Sequence, residues 1–156
     1  MSVVVIVEPG SARDHWRELL ELADEPEPLR AYLHDGVLYG VADAETQRPR
    51  AAILVIDLGD GSAELRAVAV AEAEQGCGLG SSLVEEACAR LRASGVRRVV
   101  VGTASSGTRQ LAFYQRLGFR LTSVERDFFT AARGYPADLS ENGIATRDMV
   151  WMDRDL

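Results

Sequence analysis

The residues with the clearest capacity for chemistry lie between Leu65 and Gly95, in the stretch LRAVAVAEAEQGCGLGSSLVEEACARLRASG. It opens as a short apolar strand, passes through a glycine-rich turn and leaves as an amphipathic helix. Gly76, Gly78 and Gly80 occupy alternate positions, with Gln75 in front and Ser81-Ser82 behind. A turn of this kind aims several backbone N–H groups at one point beside a helix N-terminus, which suits a phosphate group. A P-loop needs a lysine after its last glycine, and none follows here. A GxGxxG fingerprint starting at Gly76 would need glycine at position 81, which is Ser81. The pattern that fits is (Gln/Arg)-x-x-Gly-x-(Gly/Ala), met by Gln75-Gly76-Cys77-Gly78-Leu79-Gly80. The plain alternative is a helix cap, since Ser82 and Glu85 have capping-box spacing. A helix start has no need of three alternate glycines.

Such a turn must be positioned by the rest of the chain. At 156 residues, 47% hydrophobic and 26% charged, the composition is that of one soluble globular domain. The net charge of -7 argues against a general nucleic-acid binder and is compatible with a cationic or amine-bearing substrate. Cys77 and Cys88 form no CxxC, and His15 and His34 are far from them, so no zinc pattern exists. Cys88 falls on the apolar face of the helix, and Cys77 reads as a spacer in the turn. No disulfide framework is indicated, which fits a reducing compartment. The apolar run Val3 to Val7 is too short for a membrane span or a signal sequence. The expectation is a cytoplasmic protein without membrane or nucleic-acid partners.

The order of elements follows from pattern and punctuation. Val3 to Val7 reads as a buried strand ended by Glu8-Pro9-Gly10. A helix runs from Ser11 or Asp14 to about Ala23, broken by Glu25-Pro26-Glu27-Pro28. A short helix spans Leu29 to His34. Strands follow at Val37 to Ala42, Ala51 to Leu58 and Ser62 to Val70, an antiparallel meander with a loop at Glu45 to Arg50 and a tight turn at Gly59-Asp60-Gly61. The helix after the turn covers roughly Gly80 to Ser94 and stops at Gly95. Arg97 to Gly102 is a strand, which completes a βαβ unit and sets the strands ending at Val70 and Gly102 parallel. Thr108 to Leu117 is a helix, Phe119 to Val124 a strand, Asp127 to Asn142 irregular and aromatic, and Arg147 to Met152 the last strand.

The turn resembles the pyrophosphate-binding loop of the GNAT acetyltransferase superfamily. A second match supports it: Leu111-Ala112-Phe113-Tyr114-Gln115-Arg116-Leu117-Gly118-Phe119 is similar to the family's (A)-x-Y-x-x-x-GF segment. The order of elements matches as well, most weakly before Ala51. Asp127-Phe128-Phe129, Tyr135-Pro136, Glu141-Asn142-Gly143-Ile144 and Arg147-Asp148-Met149 further resemble the tail of a small bacterial subgroup of unsettled acceptor. The resemblance implies a mixed α/β (α+β) fold. Its central sheet is mostly antiparallel, with helices on both faces and one parallel, splayed strand pair.

The same resemblance implies roles. Acetyl-CoA is the cosubstrate, with no metal. Gln75, Gly76, Cys77, Gly78, Leu79, Gly80, Ser81 and Ser82 would hold its pyrophosphate. The backbone of Val68, Ala69 and Val70 would pair with the pantetheine amides like an added strand, and an N–H near Val70 would polarise the thioester carbonyl. Tyr114 would donate a proton to the leaving thiolate, since a thiol of pKa about 8.5 gains from a tyrosine still protonated below about 10. Glu64, six residues before Val70, matches a glutamate base of some members, and strand alternation sets Glu64, Arg66, Val68 and Val70 on one face. The plainer role for Glu64 is an ion pair with Arg66. The family asparagine before the tyrosine helix is missing from Thr103 to Thr108, which leaves Ser105 and Ser106 as substitutes. Asp127 and Glu141 could contact a cationic acceptor, while Asp148 beside Arg147 reads as structural. The expected function is acetyl transfer to a primary amine of a small molecule or peptide. The alternative is a non-catalytic acyl-CoA-binding module on the same fold. The aromatic tail could also serve a homodimer.

Overall fold

The computed structural model describes residues 3–156. Its strands are β1 (Val4–Val7), β2 (Val37–Ala42), β3 (Pro49–Asp57), β4 (Ser62–Val70), β5 (Arg98–Ala104), β6 (Arg120–Glu125), β7 (Ser140–Glu141), β8 (Ile144–Ala145) and β9 (Met149–Asp155). Its helices are α1 (Ser11–Asp14), α2 (Arg17–Leu20), α3 (Pro26–Tyr32), α4 (Leu79–Ala93) and α5 (Thr108–Arg116). Seven strands form one sheet in the order β1-β2-β3-β4-β5-β9-β6, and β7 and β8 make a small separate hairpin. All pairings are antiparallel except β4 with β5.

Helices cover both faces, as expected. On one face α4 buries Leu83, Val84, Ala87, Cys88 and Leu91 against Ile53, Val55, Leu65 and Val101, and α5 adds Tyr114. On the other face Leu19, Leu20, Leu29 and Tyr32 pack on Leu38, Ala52, Leu54 and Ala67. Each leucine, isoleucine or valine among them stabilises the fold by about 1.5–3 kcal/mol on leaving water, before entropy is counted.

Three expectations need correction. The segment Ser11 to Ala23 is two short helices, interrupted at His15 and Trp16 so that Trp16 can turn into the core. The run Val3 to Val7 is buried only at Val7: β1 is an edge strand bonded among the described residues only to β2, and Val3, Val5 and Ile6 are exposed. The third concerns β4. Leu54 pairs with Ala67, but Val55 pairs with Leu65, so Arg66 is an extra, unopposed residue. A bulge of one residue inverts the alternation on either side of it. Ala63 and Leu65 therefore face the α4 side, and so do Val68 and Val70, whereas Glu64 faces the opposite side with its partner Ile56.

Arg13 ties the N-terminal segments together. Its guanidinium is buried and donates to the carbonyls of Val7 (2.9 Å), Leu33 (3.2 Å), Asp35 (2.7 Å) and Gly36 (3.4 Å). Arg13→Met keeps the stem and strands these carbonyls without donors. The expected result is a stability loss of about 2–3 kcal/mol, read as a lower urea midpoint at unchanged slope.

Candidate active site

The site is built around the place where the sheet opens. β4 and β5 pair in parallel only from Ser62↔Arg98 to Leu65↔Val101. Beyond that point β4 continues to Val70 on β3, and β5 continues to Ala104 on β9. Each wall is held from outside, so the facing backbone groups of residues 66–70 and 102–104 have no ladder partners across the gap. An extended chain entering there finds free N–H and C=O groups to pair with.

The glycine turn lies past the end of β4. Gly76 and Gly78 have φ of +80° and +85°, a region costly for other residues, and open space surrounds the place where a Cβ would stand. Gly80 differs: a Cβ there would lie 3.1 Å from Val70 Cγ2, so its role is to let α4 approach β4. Gln75 Nε2 donates to the Val70 carbonyl at 3.0 Å, and Arg50 grips the Glu74 carboxylate through Nε at 2.9 and 2.8 Å. Cys77 donates its thiol to the Glu74 carbonyl, which fits its reading as a spacer. No side chain caps α4, whose first backbone bond is Ser82 N–H to Gly78 C=O at 3.0 Å. The capping-box alternative fails, because Glu85 is bound to Arg154 at 2.8 and 3.1 Å. The turn thus presents uncapped N–H groups and the positive end of a helix of 15 residues to solvent.

Beside the gap is a cavity of about 410 Å³. Leu65, Val68, Gly102 and Ala104 line it, and it brings together Tyr114, Glu64 and Glu141. Tyr114 is 7% exposed, packed edge-on between Phe113 and Phe119 at 5.0 and 5.6 Å. Its hydroxyl has no hydrogen-bond partner among the described residues. Burial pushes its pKa well above the usual tyrosine value, so it stays a neutral donor. Glu64 is largely covered, with Arg66 Nη1 at 3.5 Å. Glu141 accepts from Gln110 Nε2 at 3.2 Å.

Two candidate residues are placed elsewhere. Asp127 points to solvent, paired at 3.0 Å with an equally exposed Arg147, and does not line the cavity. Its N–H is bound by Asp148, which is structural as expected. Ser106 is fully buried, its hydroxyl engaged with Thr146 at 2.8 Å and its carbonyl with Asn142, so it anchors the tail and has no surface for a cofactor. Ser105 is half-buried at the end of the gap, and its N–H is taken by the Asp148 carbonyl.

The structure adds residues that the sequence did not suggest. Asp24 lines the cavity and accepts from Tyr32 at 2.7 Å, from Tyr135 at 2.9 Å and from the Glu25 N–H at 2.9 Å. This latch joins segments 111 positions apart. Trp151 and Phe129 complete an aromatic wall. Burial, then the Asp24 charge, raises the pKa of both latch tyrosines. With Tyr114, the native state keeps protons that the unfolded chain releases above about pH 10. The contribution of these tyrosines is therefore constant below that pH, and stability is expected to fall as pH rises beyond it, measured as urea midpoints at about pH 9 and about pH 11.

Among the described residues no group of three or more His, Cys, Asp or Glu is placed to hold a metal ion, and no helix is long and apolar enough to cross a membrane.

Comparison with known proteins agrees with this architecture. An uncharacterized N-acetyltransferase of Bacillus subtilis (strain 168) is 40% identical over 93 residues, 60% of this chain; the match spans 59% of that relative's length. A Bacillus subtilis acetyltransferase solved in complex with CoA superposes with a TM-score of 0.86 at 30% identity, over 100% of this chain and 99% of that one. A GNAT family acetyltransferase from Elizabethkingia anophelis with acetyl-CoA bound gives 0.85 at 29% identity over 98% of each chain. An IAA acetyltransferase from Bacillus cereus ATCC 14579 gives 0.87 at 28% identity over 100% of each. With the acetyltransferase (GNAT) family model matching residues 6–119, the chain belongs to the GNAT acetyltransferase family.

Proposed function

We propose that the chain, acting as one domain, is an acetyl-CoA-dependent N-acetyltransferase that transfers acetyl to a primary amine of a small molecule or peptide by direct attack. One observation carries the reading: the sheet gap joins an uncapped, glycine-rich helix start at one end to a cavity holding Tyr114 and Glu64 at the other.

Acetyl-CoA supplies the acetyl group as a thioester, whose carbon–sulfur bond breaks as the nitrogen–carbon bond forms. The N–H groups from Gly76 to Ser81 receive the pyrophosphate, beside the Ser82 side chain on the first turn of α4, with Gln75 holding the turn onto β4. The backbone of Val68, Ala69 and Val70 pairs along the pantetheine arm. Glu64 takes the proton that the ammonium loses. Tyr114 shares its hydroxyl hydrogen with the sulfur as negative charge develops there, and the second proton lost by the nitrogen makes good the one that sulfur takes, so that thiol leaves and the tyrosine ends neutral. Its raised pKa makes it a donor that never ionises near neutral pH. Ser105 would contact the cofactor and Glu141, on the cavity wall, the acceptor. The setting is cytoplasmic.

The test is thiol release from acetyl-CoA over a panel of polyamines, amino acids, aminoglycosides and peptides, beside melting curves with acetyl-CoA and with NAD. Stabilisation by acetyl-CoA alone, with amine-dependent thiol release, is expected. Stabilisation without turnover on any amine would assign the fold to a non-catalytic acyl-CoA-binding module.

A further inference from the structure

One charged group on the cavity wall is left without a task by the chemistry above. Arg66 is the residue that the bulge inserts into β4. Its side chain lies on the acceptor side with Glu64, where its guanidinium carbon is 4.6 Å from the centre of the Tyr32 ring and the residue lines the cavity. The Glu64 carboxylate approaches at 3.5 Å, too far for a hydrogen bond. Asp24 accepts from the latch tyrosines and the Glu25 N–H, and not from Arg66. The guanidinium therefore makes no hydrogen bond among the described residues. Arg133, the cavity's other cation, is bound to Glu125 at 3.1 Å and stacked on Phe128.

A guanidinium placed over an aromatic ring, with Glu64 at 3.5 Å and no hydrogen bond to any described residue, has N–H groups available for a planar carboxylate. Glu64, two residues earlier on the same strand, is in the same cavity. The two side chains present one negative and one positive group to a single bound molecule.

We propose that Arg66 receives a carboxylate of the acceptor, so that the acceptor class is amino carboxylic acids, with the amine directed to Glu64 and the carboxylate to Arg66. This rests on the transferase reading. It goes further in stating that the acceptor must carry an anion, on a cavity wall that otherwise favours cations.

The experiment uses matched acceptors, each an amino acid and its own carboxamide, with saturating acetyl-CoA and thiol release as readout. Wild-type kcat/KM is expected to favour the carboxylate by about 10- to 100-fold, mostly through KM. Arg66→Gln should bring that ratio close to one, with Arg66→Lys in between, both checked for folding by melting temperature. An Arg66 that merely steadies Glu64 would lower both members of a pair equally. A preserved ratio in Arg66→Gln, or equal rates on wild type, overturns the proposal. Calorimetry of the same pairs on CoA-loaded protein separates the two levels of failure. Carboxylate-selective binding without turnover would overturn the transferase reading while supporting the anion site, and equal affinities would overturn the anion site whatever the turnover.

Discussion

Tyr114→Phe is expected to lower kcat about 100-fold, at the lower end of what a positioned proton donor contributes. The substitution is unusually clean. The ring keeps its edge-on contacts with Phe113 and Phe119. The lost hydroxyl has no partner among the described residues, so its removal orphans nothing. Melting temperature and the KM for acetyl-CoA should barely move. Because burial raises the pKa of this hydroxyl, full proton transfer from it to a thiolate is uphill, and its contribution grows only as charge appears on sulfur. The wild-type pH profile should accordingly show no alkaline fall belonging to Tyr114 below its raised pKa. Steady-state kinetics of the variant from neutral pH to about pH 10 check both statements. Unchanged kcat would remove Tyr114 from the chemistry.

Gly78→Val should act on the donor half instead. Valine at φ +85° meets a strain of about 1–2 kcal/mol, which the turn relieves by reshaping. The N–H groups at the start of α4 then diverge, and KM for acetyl-CoA is expected to rise at least about 10-fold, the equivalent of that strain. The control is Gly59→Val. Gly59 has φ +77°, with open space around its absent Cβ, but it lies on the hairpin at the far end of β4. It carries the same strain and should leave KM alone while lowering the melting temperature comparably. Equal KM in the two variants would show that the turn's conformation does not matter for binding.

What could be read in the sequence was local. The turn from Gln75 to Gly80 and the helix behind it announce themselves by residue type at fixed spacing, and the strand order follows from short connections. The bulge did not announce itself. LRAVAV alternates as cleanly as any regular strand, and only the register against Leu54 and Val55 shows that Arg66 is extra. That single residue moved Glu64 to the acceptor side and away from the face of Val68 and Val70. The Asp24 latch was equally hidden, since its partners Tyr32 and Tyr135 are joined by tertiary contact and share no sequence pattern. β1 shows the limit of composition. A run of valines is the same string at a sheet's edge as at its centre, and only the absence of a second neighbour among the described residues leaves Val5 and Ile6 exposed. Ser106 looked available because nothing in its neighbourhood of sequence reveals Thr146 and Asn142 closing over it.

Direct identification of the product tests acetyl transfer to nitrogen most simply. The full chain is incubated with carbonyl-labelled acetyl-CoA and the best amine of the panel, and the products are read by mass spectrometry and NMR. An amine carrying one labelled acetyl group on nitrogen, formed one-for-one with free thiol and lost in Tyr114→Phe at early times, is the predicted outcome. Free acetate with unmodified amine, or no consumption of acetyl-CoA at all, would contradict it.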